Sequence, residues 1–262
     1  MPNNYIVLTG ASGNIGNKLA YFLLNKGYAL IITSRNIKHL EEMQNMFQEY
    51  KNSIVFKELD LADQKSIERF VESLCGLRIK GLVNNAATDN VDTIERLSYE
   101  NLQNIININY VGTAYLSKML AQQSVDKGQS LNIVNISSLL SVFGANKSAA
   151  YSASKAALEA FTRNLTVEYA DKGIVCNSIR IAGICGDLNI YGSKTKVIRY
   201  DEKLTIKNKK NDIEQIPVGR FLTFAEINNM VEFLLSDKAM YLNGQSINID
   251  GGISIKYPGY NI

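Results

Sequence analysis

Histidine is almost absent from this sequence of 262 residues, in which His39 is the single example. A catalytic triad built on histidine and a histidine-rich metal site are therefore nearly excluded, and we expect no bound metal. Any acid–base chemistry has to use other side chains.

Cysteine is also scarce. The three cysteines, Cys75, Cys176 and Cys185, are odd in number and form no Cys-x-x-Cys pair. This usage favours a reducing compartment, and a chain of this length buries enough core to need no disulfide bonds.

Long apolar runs and a strong net charge are missing as well. No stretch approaches the ~18 apolar residues of a membrane span, and no basic segment of a signal peptide precedes the first apolar run, Ile6–Leu8. Lys and Arg number 28 against 25 Asp and Glu, and a net charge of +3 is too weak to indicate nucleic-acid binding. We expect a cytoplasmic protein with no membrane or nucleic-acid partner.

Short apolar runs alternate with segments of helical periodicity along the chain. Seven runs rich in Ile and Val predict buried parallel strands: Tyr5–Thr9, Ala29–Thr33, Ser53–Leu59, Ile79–Asn84, Leu131–Ser137, Val175–Ile181 and Gln245–Ile249. The predicted helices are a first one that ends at Gly27, then Lys38–Tyr50, Asp63–Leu74, Tyr99–Val125 and Ala150–Ala170. The alternation predicts one α/β domain over residues 1–262: a Rossmann-like, doubly wound parallel sheet of seven strands with helices on both faces.

One segment, residues 186–215, breaks this rhythm. It lacks clear periodicity, and we interpret it as a substrate-binding lid or insert within the domain. Between Lys194 and Lys210 it holds seven basic and two acidic residues. This charge would suit an anionic substrate, but a lysine-rich loop that is merely solvated is the favoured interpretation.

A glycine-rich turn, Thr9–Gly16, follows the first predicted strand directly and opens a helix. Glycines there let the backbone approach a pyrophosphate, and the helix N-terminus presents free N–H groups to it. A mononucleotide P-loop would need Gly-Lys-Ser/Thr, but Gly16 is followed by Asn17 and Lys18. The turn therefore predicts a dinucleotide site.

The ends of the second and third predicted strands indicate which dinucleotide binds. The second ends in Thr33-Ser34-Arg35-Asn36 without an acid, which favours NADP(H) over NAD(H). Arg35 could instead simply begin a helix on a solvated face. Asp60, after the third strand, is placed either to meet the adenine or to cap a helix.

Tyr151 and Lys155 are four residues apart and share one helical face. A nearby ammonium lowers the pKa of a phenol and makes it usable for proton transfer. The spacing means little alone, but Ser138 ends the fifth predicted strand, Asn84–Ala87 ends the fourth, and Asn109 lies in the fourth helix before Gly112.

Together with Ile216–Phe221 and the segment from Asn243 to Gly252, these motifs resemble the short-chain dehydrogenase/reductase family, in its compact single-domain form, over essentially the whole chain. The resemblance implies that Tyr151 transfers a proton, Lys155 lowers its pKa, Ser138 holds the substrate oxygen, and the main chain of Asn109 holds a relay water. It also implies a set of cofactor contacts. These are Gly10, Ser12, Gly13, Asn14, Ile15, Gly16, Ser34, Arg35, Asp60, Leu61, Asn85, Ala86, Ala87, Tyr151, Lys155, Gly183 and Ile184.

Four positions depart from the family pattern. Asn14 replaces a glycine, Ala87 replaces a glycine, Ala182-Gly183 replaces Pro-Gly, and Asp187 replaces a threonine. The resulting Gly-x-x-Gly-x-x-Gly spacing is typical of relatives that act on nucleotide sugars.

The resemblance predicts an NADP(H)-dependent oxidoreductase that interconverts a carbonyl and a secondary alcohol. The alternatives are a nucleotide-sugar epimerase or dehydratase and a catalytically silent dinucleotide-binding protein. Two apolar helix faces could form core or subunit contacts, and we expect a homodimer or homotetramer. These faces are Val111, Tyr115 and Met119 on one helix and Leu158, Phe161 and Leu165 on another.

Overall fold

A computed structural model describes residues 4–89, 92–182 and 214–256. In these residues seven strands form one sheet, in the order β3-β2-β1-β4-β5-β6-β7, and each neighbouring pair is parallel. The strands are Tyr5–Leu8 (β1), Ala29–Ser34 (β2), Ile54–Glu58 (β3), Ile79–Asn84 (β4), Leu131–Ser138 (β5), Ile174–Ile181 (β6) and Ser246–Ile249 (β7). The predicted seven-stranded parallel sheet is confirmed.

Helices cover both faces of the sheet, as predicted. In the described ranges they are Asn14–Asn25 (α1), Ile37–Met46 (α2), Gln64–Glu72 (α3), Tyr99–Ile106 (α4), Thr113–Asp126 (α5), Ala149–Tyr169 (α6) and Phe224–Leu235 (α7). Helices α1, α2 and α7 pack on one face, and α3, α5 and α6 on the other. No helix in the described part of the chain is both long and apolar enough to span a lipid bilayer.

Burial explains why the strand runs are apolar without alternation. Every residue of β1 and β2 is buried, because helices cover both faces of these central strands. The edge strands β3 and β7 are only partly buried. Each fully buried Leu or Ile contributes about 1.5–3 kcal/mol, so the central strands anchor the two cores.

The second helix ends earlier than predicted. The sequence predicted helix to Tyr50, but α2 stops at Met46 and a 3₁₀ turn, Gln48–Tyr50, follows. Phe47 leaves the helical backbone, with φ −102° and ψ 24°. Its fully buried ring packs on Tyr21 with 4.4 Å between centroids. Periodicity alone could not show that burial of this ring coincides with the helix end.

The fourth predicted helix is interrupted. A π-helical turn, Asn107–Gly112, separates α4 from α5. Gly112 lies against the backbone of Leu61 so closely that a Cβ would overlap the Leu61 carbonyl oxygen. This contact brings the helix against the loop after β3. Such widened turns are frequent at functional sites, and this one contains Asn109.

The sequence reading missed α7. A capping box marks its start: Thr223 Oγ1 accepts from the Glu226 N–H, and the Glu226 carboxylate accepts from the Thr223 N–H at 2.9 Å. The Thr-x-x-Glu pattern before an apolar run was the signal that could have found it. The buried side chains of Ile227 and Val231 hold this helix on the sheet.

Candidate functional site

The candidate site lies at the carboxyl edge of the sheet, between the ends of β1 and β4. The chain winds outward in opposite directions from these two neighbouring strands, so a crevice opens where the strand order reverses. The segments that follow the two strands, Thr9–Gly16 and Asn84–Ala87, meet there.

The turn after β1 requires glycine at two positions. Gly10 has a φ of 66°, and a Cβ there would lie 2.6 Å from Cα of Ala86. A Cβ on Gly16 would overlap the Gly10 carbonyl oxygen and lie 2.7 Å from Nδ2 of Asn85. The turn therefore packs, backbone against backbone, on the end of β4.

Hydrogen bonds hold this turn in place. Nδ2 of Asn85 donates to the carbonyl oxygens of Thr9, at 3.1 Å, and Gly10, at 2.9 Å. In return, Oγ1 of Thr9 accepts from the N–H groups of Asn85 and Ala86, both at 3.1 Å. Asn85, which the family resemblance implied as a cofactor contact, thus joins Thr9 in holding the end of β1 to the end of β4.

The start of α1 fits the pyrophosphate of a dinucleotide. Gly13 is the N-cap, no side chain caps the helix, and its first turn holds no acidic residue. Ser12 and Asn14 are exposed, whereas Ile15 packs against the core. An anion here would meet backbone N–H groups and the positive end of the helix dipole.

The residues predicted for the adenosine end follow β2 and β3. Ser34 is buried and its Oγ accepts from the N–H of Asn36 at 3.2 Å, while Arg35 is exposed to solvent. Leu61 is buried, and Asp60 accepts from the N–H two residues on.

The alternative reading of Asp60 as a helix cap is wrong. The N-cap of α3 is Asp63, whose carboxylate accepts from the N–H of Lys65 at 2.9 Å. Asp60 lies before this helix at the sheet edge.

The residues after β4 divide between the crevice and the interior. Asn84 points inward, where its Nδ2 donates to Asn135, at 2.7 Å, and to Ser117, at 2.8 Å. Ala86 touches the glycine turn, and Ala87 is exposed. The side chain of Asn84 therefore supports the sheet, while Asn85 and Ala86 contact the glycine turn.

Helix α6 presents Tyr151 and Lys155 to the end of β5. Lys155 is 2% exposed, and its Nζ donates to the carbonyl oxygen of Ile136 at 2.7 Å. The same Nζ lies 5.5 Å from the centroid of the Tyr151 ring. Ser138, the last residue of β5, acts on the Tyr151 phenol and favours its ionised form. Three of the four predicted catalytic side chains are thus assembled.

Burial has the largest effect on the pKa values of Tyr151 and Lys155. It raises the pKa of Tyr151 to about 12, with a contribution from Asp89, while the hydrogen bond from Ser138 acts in the opposite direction. Burial also lowers the pKa of Lys155 to about 8, and Glu159 opposes that shift. The expected lowering of the Tyr151 pKa is therefore wrong for this structure, because desolvation of the phenol outweighs the neighbouring groups.

Asn109 lies in the π-helical turn, and both polar atoms of its side chain form hydrogen bonds within the protein. Its Oδ1 accepts from the N–H of Thr88, and its Nδ2 donates to the Thr88 carbonyl oxygen, both at 2.8 Å. Nδ2 also donates to Oγ of Ser154 on α6 at 3.1 Å. Asn109 thus ties the segment after β4 to the helix that holds Tyr151.

Some predicted residues lie outside the described residues. Gly183 and Ile184, two of the predicted cofactor contacts, are among them, and so is Asp187. Residues 186–213 of the predicted lid are also outside, together with its lysine cluster.

One ion pair next to the candidate catalytic residues was not predicted from the sequence. Glu159 and Arg180 form an ion pair at 2.6 Å beside Ser137. Glu159 is four residues after Lys155, so the helical spacing that linked Tyr151 to Lys155 could have found it. Arg180 had no such signal, since only the register of β5 and β6 brings it there.

Comparisons with known proteins identify the family. A family model described as enoyl-(acyl carrier protein) reductase matches residues 10–254. The 3-oxoacyl-(acyl-carrier-protein) reductase FabG of Buchnera aphidicola subsp. Schizaphis graminum is 31% identical over 94% of this chain and 96% of that protein. The diacetyl reductase, (S)-acetoin forming, of Staphylococcus epidermidis is 28% identical over 94% and 97%.

A solved structure gives the same result. The crystal structure of a short chain dehydrogenase from Bacillus anthracis superposes with a TM-score of 0.83 at 27% identity, and covers 98% of this chain and 99% of its own. The chain belongs to the short-chain dehydrogenase/reductase family, and these relatives are named as dehydrogenases and reductases that act on carbonyl or CH–OH groups.

Proposed function

We propose that the protein is an NADP(H)-dependent oxidoreductase that interconverts a carbonyl compound and a secondary alcohol. The observation that carries this proposal is the placement of Lys155: its buried ammonium donates to the Ile136 carbonyl oxygen in β5, two residues before Ser138, and lies 5.5 Å from the centroid of the Tyr151 ring. Two relatives named 3-oxoacyl-(acyl-carrier-protein) reductase and diacetyl reductase support it.

A bound nicotinamide supplies the hydride, and the protein supplies the proton and the geometry. Ser138 holds the carbonyl oxygen of the substrate, and the Tyr151 hydroxyl donates its proton to that oxygen. Because the pKa of Tyr151 is about 12, the phenol is protonated near neutral pH and is ready to donate in the direction of reduction.

Lys155 and Asn109 complete the proposed group. The buried ammonium of Lys155 stabilises the phenolate that remains on Tyr151 after proton transfer. The side chain of Asn109 is occupied by Thr88 and Ser154. Its proposed role therefore belongs to its main chain, which holds the water that relays a proton from solvent to Lys155.

The reduction rate is expected to fall as pH rises through about 8. Burial lowers the pKa of Lys155 to about 8, so its ammonium loses its proton above that value, while Tyr151 still holds its proton. The measurement is kcat/KM for NADPH-dependent reduction between about pH 6 and pH 10. A profile that stays flat across this range would contradict the proposed role of Lys155.

The preference for NADPH is expected to depend on Arg35. Its exposed guanidinium, beside the buried Ser34, can bind a 2′-phosphate, and no acid there can bind a free 2′-hydroxyl. Arg35→Ala should lower kcat/KM with NADPH by roughly tenfold or more and leave that with NADH nearly unchanged. Lys51→Gln, another exposed cation, is the control. Equal losses with both cofactors would disprove the assignment.

The proposed substrate is a small carbonyl compound, and we favour an anionic one such as an acyl thioester. The lysine cluster of residues 194–210 supports this choice. The relative named for a 3-oxoacyl group on acyl carrier protein supports it as well.

We also propose that the protein is a homodimer or homotetramer. Of the two predicted apolar faces, Leu158 and Leu165 are buried core, whereas Val111 is 49% exposed. Val167, on α6, is 84% exposed. These uncovered side chains support an association through this side of the molecule, which sedimentation equilibrium measures.

The test of the proposed function is a screen of ketones, acyl thioesters and keto-sugars with NADPH and NADH in parallel. Net oxidation of NADPH coupled to carbonyl reduction supports the proposal. Product formation from a nucleotide sugar without net NADPH consumption would show an epimerase or dehydratase instead. Cofactor binding without turnover of any compound would show a silent dinucleotide-binding protein.

A further inference from the structure

A buried carboxylate lies beside the proposed catalytic residues, and the mechanism above gives it no role. Glu159 is on α6, one turn after Lys155 and two turns after Tyr151, so the three share a face of the helix. Its side chain is 3% exposed. An acid at such a position must be stabilised by specific partners, since burying a lone carboxylate is costly.

Five short contacts provide that stabilisation. Oε1 of Glu159 accepts from the hydroxyls of Ser137 and Ser141, each at 2.6 Å. Arg180 donates from Nε to both carboxylate oxygens, at 2.9 and 3.1 Å, and from Nη2 at 2.6 Å. These partners hold the pKa of Glu159 below its usual value in spite of its burial. The group is therefore a carboxylate at neutral pH.

The two serines lie on either side of Ser138. Ser137 is the residue before it in β5, and Ser141 ends the short 3₁₀ turn that follows it. Ser137 is also the register partner of Arg180 on β6. The carboxylate of Glu159 therefore connects the strand before Ser138, the turn after it and the neighbouring strand to one point on α6.

We propose that Glu159 is a positioning residue: through Ser137 and Ser141 it fixes Ser138 against the face of α6 that presents Tyr151 and Lys155. This inference rests on the proposed function for its catalytic readout. Glu159 itself touches neither the phenol nor the ammonium, and it acts through the backbone on both sides of Ser138.

The charge of Glu159 gives the proposal a second consequence. Lys155 lies beside the Tyr151 ring and feels the charge of Glu159, while Arg180 on β6 pairs with Glu159 and Asp89, which follows β4, acts on Tyr151. Among them, Glu159 opposes the lowering of the Lys155 pKa by burial. Removing its charge leaves Arg180 without its counter-ion, so the pKa of Lys155 falls further.

The experiment compares four variants of the full-length protein. Glu159→Gln removes the charge, and Ser137→Ala combined with Ser141→Ala removes the tethers while leaving the ion pair with Arg180 intact. Ser141→Thr keeps the hydroxyl and is the conservative rescue. Glu168→Gln, an exposed acid on the same helix, is the matched control.

We expect Glu159→Gln and the double serine variant to lower kcat by roughly ten- to a hundredfold, because a small misplacement of Ser138 is enough for such a loss. The KM for NADPH should change less than about threefold, since the glycine turn is untouched. The alkaline limb of the pH profile should move to lower pH in Glu159→Gln and stay in place in the double serine variant. Ser141→Thr and Glu168→Gln should match the unaltered protein.

Hydrogen exchange supplies a readout that does not need turnover. The N–H groups of Leu140 and Val142 bond within the turn, to Ser138 Oγ and to the Leu139 carbonyl oxygen, and should exchange faster when the tethers are lost. If both variants keep the kcat, the pH profile and the exchange rates of the unaltered protein, the inference is overturned.

Two further outcomes also test whether Glu159 positions Ser138. If Glu159→Gln does not fold, the double serine variant alone tests the proposal, because it keeps the ion pair between Glu159 and Arg180. If the unaltered protein reduces no carbonyl compound, the proposed function fails, and the exchange rates still show whether Glu159 positions Ser138.

Discussion

Tyr151→Phe is expected to lower the rate of carbonyl reduction by roughly 10³-fold or more, while NADPH binds within about threefold of its affinity for the unaltered protein. The substitution removes one oxygen and keeps the ring, so the contact of the ring with the Lys155 ammonium survives. What is lost is the hydroxyl group, which is the proposed proton donor and the group on which Ser138 acts. Steady-state kinetics gives the rate, and quenching of NADPH fluorescence gives the affinity.

The structure offers a matched control for this variant. Tyr169 is on the same helix, and its hydroxyl bonds to Gln122 at 3.0 Å, away from the crevice. Tyr169→Phe should keep full activity. If Tyr151→Phe retains more than about a tenth of the activity, then another group donates the proton and the proposed mechanism is wrong.

Gly16→Ala is expected to weaken NADPH binding by about one to two powers of ten and to lower Tm. A Cβ at this position would overlap the Gly10 carbonyl oxygen and lie 2.8 Å from Cα of Ala11 and 2.7 Å from Nδ2 of Asn85. None of these atoms can move freely, because two are backbone and the third is held by its bonds to Thr9 and Gly10. Overpacking of this kind costs about 1–3 kcal/mol, which corresponds to that loss of affinity if the turn shifts.

Gly144→Ala is the control for the added methyl group. A Cβ on Gly144 would meet no atom within 4 Å, so neither NADPH affinity nor Tm should change. Isothermal calorimetry and thermal unfolding measure the two quantities. If Gly16→Ala binds NADPH as tightly as the unaltered protein, the turn does not cradle the cofactor phosphates.

Local patterns predicted the sheet well because its strands are buried on both faces. The apolar runs of β1 and β2 do not alternate with exposed polar residues, because every residue of the two strands is buried. The reading failed where a tertiary contact decides the backbone. Burial of Phe47 coincides with the early end of α2, and the close approach of Gly112 to Leu61 accompanies the widened turn between α4 and α5.

The candidate site likewise has features that local patterns predict and features that depend on tertiary contacts. The spacing of Tyr151 and Lys155, and the placement of Gly10 and Gly16 after the first strand, are local patterns, so the sequence could predict them. The direction of the Tyr151 pKa could not be predicted, because it depends on how deeply the fold buries the phenol.

By itself, the sequence determined the kind of chemistry available to this protein. With one histidine, the sequence predicted that proton transfer uses other side chains, and its motifs pointed to Tyr151 and Lys155. Only the tertiary structure decided which charges surround those groups, since the register of β5 and β6 brings Arg180 to Glu159 at the level of Ser137, the residue before Ser138. Electrostatic interactions strengthen when water is excluded, and the exclusion of water is a property of the packed fold rather than of any local sequence pattern.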